Sequence, residues 1–412
     1  MNIGIDFGTS YSAAATFVGG TLTPIRFGGA GQFRSAVFFP EVVPDPADMR
    51  RRRAESAAAT VEGFRDALFG EEAVEAYLEY GDGNLIESPK SMFGYRMDPQ
   101  VRRVIVHIAT YILEHIRLAA SEQLGETVRT AVIGRPVHFR SSMGDKGSEQ
   151  AVAIIREAAT AAGFTQVSFL EEPAAAAMHY HKQLATRQTA LIVDIGGGTT
   201  DVAFAELGGD TLPRILRTWG LAKGGTDLDV NLSMQSFMPL MGNNVTRVPV
   251  HHFVEAASVH NLPKQREFRR QDYRFIDEPW QSRLRALQEP GATTRLNQTA
   301  ERSKIDLSSG DATQADLGFL ERGLGAAVTR DDLDQAAEPF VERVQRLLAE
   351  VRDAWPGEPA SIFLTGGTSR SPIVKEAVRA SFPDIPLVHG DPSLGVVSGL
   401  AVAATELAPP ST

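Results

Sequence analysis

Aspartate, glycine and threonine recur in one short order at two distant places, Asp6-Phe7-Gly8-Thr9 and Asp194-Ile195-Gly196-Gly197-Gly198-Thr199. Each copy follows an apolar run, residues 2–5 and 190–193, and precedes a second small, alternating segment, residues 10–17 and 200–207. That pattern predicts strand, tight turn, strand, with an acid where the turn begins. Glycine lets backbone N–H groups converge on an anion, and a threonine hydroxyl adds a donor. A carboxylate beside the same anion would repel it unless a hard cation lies between them, which implies Mg²⁺. Two such hairpins facing each other would hold one nucleoside triphosphate from both sides. A lone Asp-x-Gly is an ordinary turn; repetition with matching flanks carries the reading. The chain has no G-x-x-x-x-G-K-[ST] and no G-x-G-x-x-G, which excludes the P-loop and the dinucleotide fingerprint.

The elements that must position these turns are also readable. Residues 1–40 read as short strands and turns. Residues 41–83, rich in Pro, Arg, Ala and Glu, read as a surface helical insertion, with Arg50, Arg51, Arg52 and Arg53 on a solvated face. Val104, Ile108, Ile112 and Ile116 put a helical stripe on residues 101–124. A buried strand is expected at 128–133, ending at Gly134-Arg135-Pro136. A helix follows at 148–162, with Ser148 as N-cap and Gly163 as stop signal. After a strand at 167–170, Glu171-Glu172-Pro173 opens an Ala-rich helix through Tyr180, with Pro173 in its first turn. Residues 220–229 read as a Gly-rich turn leading to a helix, and 231–310 as a mostly helical insertion. A strong helix at 331–354 precedes a strand at 360–364, which runs into Gly366-Gly367-Thr368-Ser369-Arg370. A strand at 387–389 and an Ala/Gly-rich helix from Leu394 close the pattern, and the tail from Pro409 to Thr412 is expected to fray.

Composition narrows the function classes. A chain of 412 residues is expected to form two to three domains. Its apolar fraction of 43% and charged fraction of 22% are those of an ordinary globular protein. A formal charge of −10 disfavours nonspecific binding to nucleic acid or anionic membranes. Without cysteine there is no disulfide, thiolate nucleophile or cysteine-ligated metal, and a cytoplasmic location is expected. The N-terminus enters a strand at once, so no signal peptide is expected. No unbroken apolar run is long enough for a membrane span; the nearest, residues 394–404, is short. Residues 264–285 carry seven basic and four acidic residues around Phe268, Tyr273, Phe275 and Trp280. Such interleaving can bind single-stranded nucleic acid, but an amphipathic surface helix explains it equally well, and no nucleic acid is expected.

Taken in order, the motifs resemble those of the DnaK-type heat-shock protein 70 chaperones. Residues 3–10 are similar to that family's first phosphate loop and residues 193–201 to its second. Residues 171–177 resemble its connecting motif, 224–229 the turn that follows, and 364–372 its adenosine motif. The resemblance covers nearly the whole chain. It implies an α/β actin-like ATPase (ribonuclease H-like) fold, with two lobes, each carrying an insertion, around a central nucleotide cleft. The lobes would be 1–187, with the insertion at 41–83, and 188–387, with the insertion at 231–310. A helix at 388–408 would pack back onto the first. The chain ends within about a dozen residues of that helix, so no peptide-binding domain is expected. Short members of the YegD type share this and a segment like Ser88-Pro89-Lys90-Ser91.

The resemblance also implies roles. ATP or ADP with Mg²⁺ would be bound through Gly8, Thr9, Ser10, Gly196, Gly197, Gly198, Gly224 and Gly225, with Asp6 and Asp194 holding the metal through waters. Lys90 would touch the γ-phosphate and the attacking water, although a surface loop lysine is the alternative. Glu172 would sense the γ-phosphate or serve only as a helix-start carboxylate, and Asp194 and Thr199 would assist catalysis. Pro136 resembles a family proline that relays nucleotide state, or simply ends a strand. Gly366, Gly367 and Arg370 would hold the adenosine with Glu301, Lys304 and Ser308. The family usually has a second arginine where Ile305 stands, and an acid where Ser393 stands, so weaker nucleotide retention is expected. The leading expectation is a slow ATPase acting as a chaperone-like switch, with clients or co-chaperones docking on the lobes. A filament former, a small-molecule kinase and a nucleotide sensor without turnover are the alternatives. Oligomeric state is not legible.

Overall fold

Small and apolar side chains alternate from the N-terminus, and they form a hairpin. Strand β1 (Asn2–Phe7) runs antiparallel to β2 (Tyr11–Val18), with Asp6 opposite Ala13. The computed structural model describes residues 1–40, 67–81, 83–355, 357–391 and 394–406. Most of the expected 41–83 insertion, the arginines Arg50 to Arg53, Ser393 and the tail from Pro409 therefore lie outside the described residues. β3 (Thr21–Pro24) and β4 (Gln32–Arg34) both pair with β2. β5 (Ala36–Pro40), β6 (Leu68–Phe69) and β7 (Gly83–Glu87) make a separate small sheet, covered by helix α1 (Gly70–Tyr80). Next come α2 (Pro99–Leu124), β8 (Thr130–Arg135), α3 (Asp145–Ala161), β9 (Gln166–Glu171) and α4 (Glu172–His181). The main sheet has the order β3-β2-β1-β8-β9, with β1, β8 and β9 parallel.

The chain then repeats the plan. β10 (Gln188–Ile195), β11 (Thr200–Leu207) and β12 (Arg214–Leu221) form an antiparallel meander. Helices α5 (Gly225–Leu232), α6 (Val250–Ala257), α7 (Leu262–Arg270), α8 (Trp280–Gln288) and α9 (Ala292–Asp306) follow. A hairpin of β13 (Ala312–Asp316) and β14 (Gly325–Thr329) leads to α10 (Arg330–Ala354), β15 (Ser361–Thr365), α11 (Pro372–Ser381), β16 (Leu387–His389) and α12 (Gly395–Thr405). The second sheet has the order β12-β11-β10-β15-β16, again a meander whose first strand, β10, is followed across the sheet by two parallel strands, β15 beside it and β16 beyond. The aspartate-bearing hairpins thus occupy matching positions in two like sheets.

Four local expectations change in the folded chain. The buried face of α2 is Ile105, Ile108, Ile112 and Ile116, while Val104 is 57% exposed. A strict four-residue repeat drifts by about 40° per step on a 3.6-residue helix, so a stripe read that way slips off the buried face. α3 starts at Asp145, not Ser148, because the Ser148 hydroxyl accepts the N–H of Phe139 at 3.2 Å instead of capping the helix. Gly220 pairs with Asp201 inside the sheet, so the expected turn begins only after Leu221. The helical core at 231–310 does not stop at 310: Leu232, Phe253 and Leu296 pack with Leu317, Val328 and Leu333. In that core Phe268 and Tyr273 are fully buried and so cannot stack bases, whereas Phe275 is exposed. α2 is the one described helix long and apolar enough to cross a membrane, but its isoleucine face is packed in the first core. α12 lies against α4 and β1. Close approach requires glycine there, since a Cβ at Gly399 would overlap the Ala175 carbonyl.

Candidate functional site

The two glycine turns meet. A side chain at Gly197 would overlap Ser10, and one at Gly198 would overlap Thr9. In both turns the carbonyls are held from behind. The Ser35 hydroxyl donates to Gly8 O and the Ser35 N–H to Ser10 O, each at 2.8 Å. In the second turn, Gly225 N–H and the Thr368 hydroxyl donate to Gly196 O at 3.0 and 2.9 Å, and Thr226 N–H donates to Gly197 O at 2.8 Å. Among the described residues, no hydrogen bond takes the N–H groups of Thr9, Ser10, Gly197 or Gly198. Carbonyls turned away and donors left over are what an anion cradle needs.

The turns open on a cavity of about 460 Å³. Asp6, Gly8, Thr9, Ser10, Lys90, Glu172, Asp194, Gly196, Gly197, Gly198 and Thr199 line it from the turn side. Gly225, Glu301, Lys304, Ser308, Gly366, Gly367 and Arg370 line it from the other. Of the residues named from the sequence as binding nucleotide or metal, Gly224 alone does not line it. Its N–H donates to Asp227 Oδ2 at 3.0 Å, where it starts α5.

The acid end of the cavity is electrostatically loaded. Burial and then Glu172 push Asp6 up to about 7, with Lys90 working against the shift. Asp194 sits well above the usual carboxylate range because it is buried and faces Glu172, Asp201 and Asp6. Asp201 is pushed up to about 8 by burial and Glu172, although its Oδ1 accepts the N–H of Val137 at 2.7 Å. That bond ties the segment after Pro136 to the second hairpin. The cation in this cluster is Lys90, which enters on the short turn Pro89–Met92 and is 6% exposed. Its Nζ donates to Glu172 Oε1 at 2.6 Å. Burial works against its charge, but Glu172 and Asp6 outweigh that and hold Lys90 protonated above its ordinary value. Glu172 stands at the first position of α4, with Pro173 behind it.

One ammonium does not balance this many carboxylates, so the donor set calls for a further cation. Among the described residues no three of His, Asp or Glu could cage one. Mg²⁺ fits such a site, because it keeps most of its waters and needs only one or two carboxylates plus phosphate oxygens.

At the far end, two ion pairs hold α9 residues in place. Arg34 from β4 donates to Glu301 Oε2 at 2.8 Å, and Lys304 Nζ lies 2.6 Å from Asp229 Oδ1. Arg370 and Ile305 are exposed, and both line the cavity, as does Ser308.

Three residues here were not singled out from the sequence. Asp201 and Asp229 each end a motif that had been read, so their acidity was a usable signal. Arg34 had no signal, since its partner lies 267 positions away.

A model of the Hsp70 protein family matches residues 87–239 and 275–411. "Chaperone protein DnaK" of Nitrosopumilus maritimus is 28% identical over 417 residues, covering 98% of this chain and 55% of that protein. "Chaperone protein DnaK" of Cenarchaeum symbiosum is 27% identical over 422 residues, with 98% and 54% covered. That of Methanothermobacter thermautotrophicus is 27% identical over 426 residues, with 98% and 60% covered. The chain spans about half the length of the curated relatives it matches.

Proposed function

The chain belongs to the Hsp70 family and has its actin-like ATPase fold, and from the cleft we propose that it binds ATP and ADP with Mg²⁺ as a slowly hydrolysing nucleotide switch. The observation that carries this reading is the pair of touching turns, each with free N–H groups, set over a carboxylate cluster that contains one lysine.

In this reading the N–H groups of both turns and the hydroxyls of Thr9 and Thr199 hold phosphate oxygens. Asp6 and Asp194 would hold Mg²⁺ through its waters, and the ion would neutralise phosphate charge. Glu172 positions Lys90, whose ammonium donates to the γ-phosphate as charge builds there. Arg370 covers one face of the base and Ile305 the other, with Ser308 beside it and Glu301 and Lys304 at the ribose. The Arg34 and Asp229 ion pairs keep those two side chains from swinging out of the cleft. Residues 1–187 and 188–387 act as two lobes that close on ATP and relax on ADP, with α12 packed back onto the first. Clients or co-chaperones would dock on these lobes and read the closure by differential affinity.

Isothermal calorimetry with ATP and with ADP, in Mg²⁺ and in excess EDTA, tests the reading, and single-turnover hydrolysis tests the switch. Metal-dependent binding of both nucleotides is expected, with turnover far slower than binding. Folded protein that takes up neither nucleotide would overturn the assignment.

A further inference from the structure

A second cavity, of about 440 Å³, lies at the seam between the two halves and shares no lining residue with the first. One wall comes from β5, β7 and α2, the other from α7, the residues before it and the start of α9. Val259, Leu262, Gln265, Arg266 and Arg269 fall in residues 240–274, and Phe39, Tyr77 and residues 83–86 before residue 87; the family model matches neither stretch.

Its polar groups are sorted by depth. At the buried end Glu87 is 7% exposed, and its Oε2 accepts the Thr294 hydroxyl at 3.3 Å. Gln265 is 6% exposed, and its amide nitrogen donates to the carbonyls of Glu255 and Ala256 at 2.6 and 3.1 Å. Those two acceptors fix the amide's orientation and leave Oε1 buried without a partner. Burial pushes Glu87 up to about 7. Arg34, the cation that most opposes this, is already held by Glu301 and Glu71, so among the described residues no cation is dedicated to Glu87. Among the exposed lining residues are Arg266, His107 and Arg269, whose guanidinium donates to the Tyr77 hydroxyl at 3.4 Å. Apolar side chains, among them Ile108 and Leu262, make up much of the remaining lining. A buried acceptor without a donor is costly, and an occupant that supplies one offsets the cost. The occupant should thus carry a cationic donor at one end, an apolar body, and an anion at the other. The volume suits a ligand of modest size.

We propose that this cavity binds a dipeptide-sized apolar zwitterion, with its ammonium on Glu87 and Gln265 and its carboxylate on Arg266 and Arg269. The probe is leucyl-phenylalanine, titrated by calorimetry into the full chain without nucleotide, beside its N-acetyl and C-amide forms. Acetylation is expected to weaken binding about tenfold or more, and amidation less, following the usual strength of hydrogen bonds to charged groups. Glu87→Gln should erase the preference for a free amine, and Arg266→Ala the preference for a free carboxylate. Thermal unfolding checks that each variant is folded. Arg266 is exposed on α7, so that arm stands even if the Glu87 variant does not fold. No binding at millimolar dipeptide, or equal binding of the free and blocked forms, would overturn the proposal. Because nucleotide is absent from the titration, failure of the cleft assignment leaves this result unchanged.

Discussion

The two hairpins share a backbone plan and differ in acid content. In the first, Asp6 faces Ala13 across the strands; in the second, Asp194 faces Asp201. Both turns have their carbonyls held from behind and keep N–H groups free. The means of holding an anion is therefore duplicated, whereas the concentrated acidity is not. The first half supplies the counterweight, the Lys90 ammonium, against its own Asp6 and Glu172 and the carboxylates of the second half. Anion binding needs only turn geometry. Proton and charge chemistry needs groups of opposite character brought together, and here Lys90 arrives on a turn, Glu172 at a helix start and the aspartates on two sheets.

The largest expected effect tests that division directly. Lys90→Ala should cut single-turnover hydrolysis about 100- to 1000-fold, the usual loss on removing one transition-state donor. Nucleotide affinity should be nearly kept, since the donor acts mainly as charge develops. A wild-type hydrolysis rate in this variant would mean that the cross-cleft lysine takes no part.

A smaller effect separates the two aspartates. Asp6→Asn and Asp194→Asn should each weaken Mg²⁺–ADP binding by about 10- to 100-fold, the range for groups that act through a metal's outer shell. The loss should be greater for Asp194, which stands among Asp201, Glu172 and Asp6. Equal losses by calorimetry would show that the acid asymmetry does not affect ground-state binding.

The smallest effect is on stability against pH. Asp6, pushed up to about 7, and Asp201, pushed up to about 8, keep protons in the folded state that the unfolded chain loses near pH 4. The folded state then binds more protons than the unfolded state, so stability falls as pH rises through that range. Buried His115 and His260, held down to about 4 and about 3, act in the opposite sense below about pH 6.5. The clean window is therefore about pH 6.5 to 8, with a slope of at most about 1.4 kcal/mol per pH unit for each raised carboxylate. Thermal midpoints of nucleotide-free protein should drop across it. Asp201→Asn should flatten its upper part, and Mg²⁺–ADP most of it. A midpoint that climbs from pH 6.5 to 8 without nucleotide would contradict the assignment of raised carboxylates.

Much of the candidate site was legible because its signals are local. Thr200–Leu207 is the strand the alternation predicted, and Pro173 sits in the first turn of α4 as its fixed φ requires. Legibility failed where a neighbour far along the chain decides the outcome. The Ser148 hydroxyl was spent on Phe139, so it does not cap the helix as its residue type suggested. Phe268 and Tyr273, in a stretch read as open either to base stacking or to an amphipathic surface helix, are placed in a core by the packing of α6 to α9.

The order and spacing of residues by themselves determined both turns, their acids and their place after a strand. Glycine's backbone freedom and the two-residue period of a strand act within a few positions, and a sequence displays them fully. Only the tertiary structure decided that the turns touch, that Arg34 reaches Glu301, and that Lys90 is buried against Glu172. It alone also left Gln265 Oε1 without a donor beside a second cavity. Burial, and the pKa shifts that follow from it, depend on which distant segments exclude water from one place, and no local pattern encodes that.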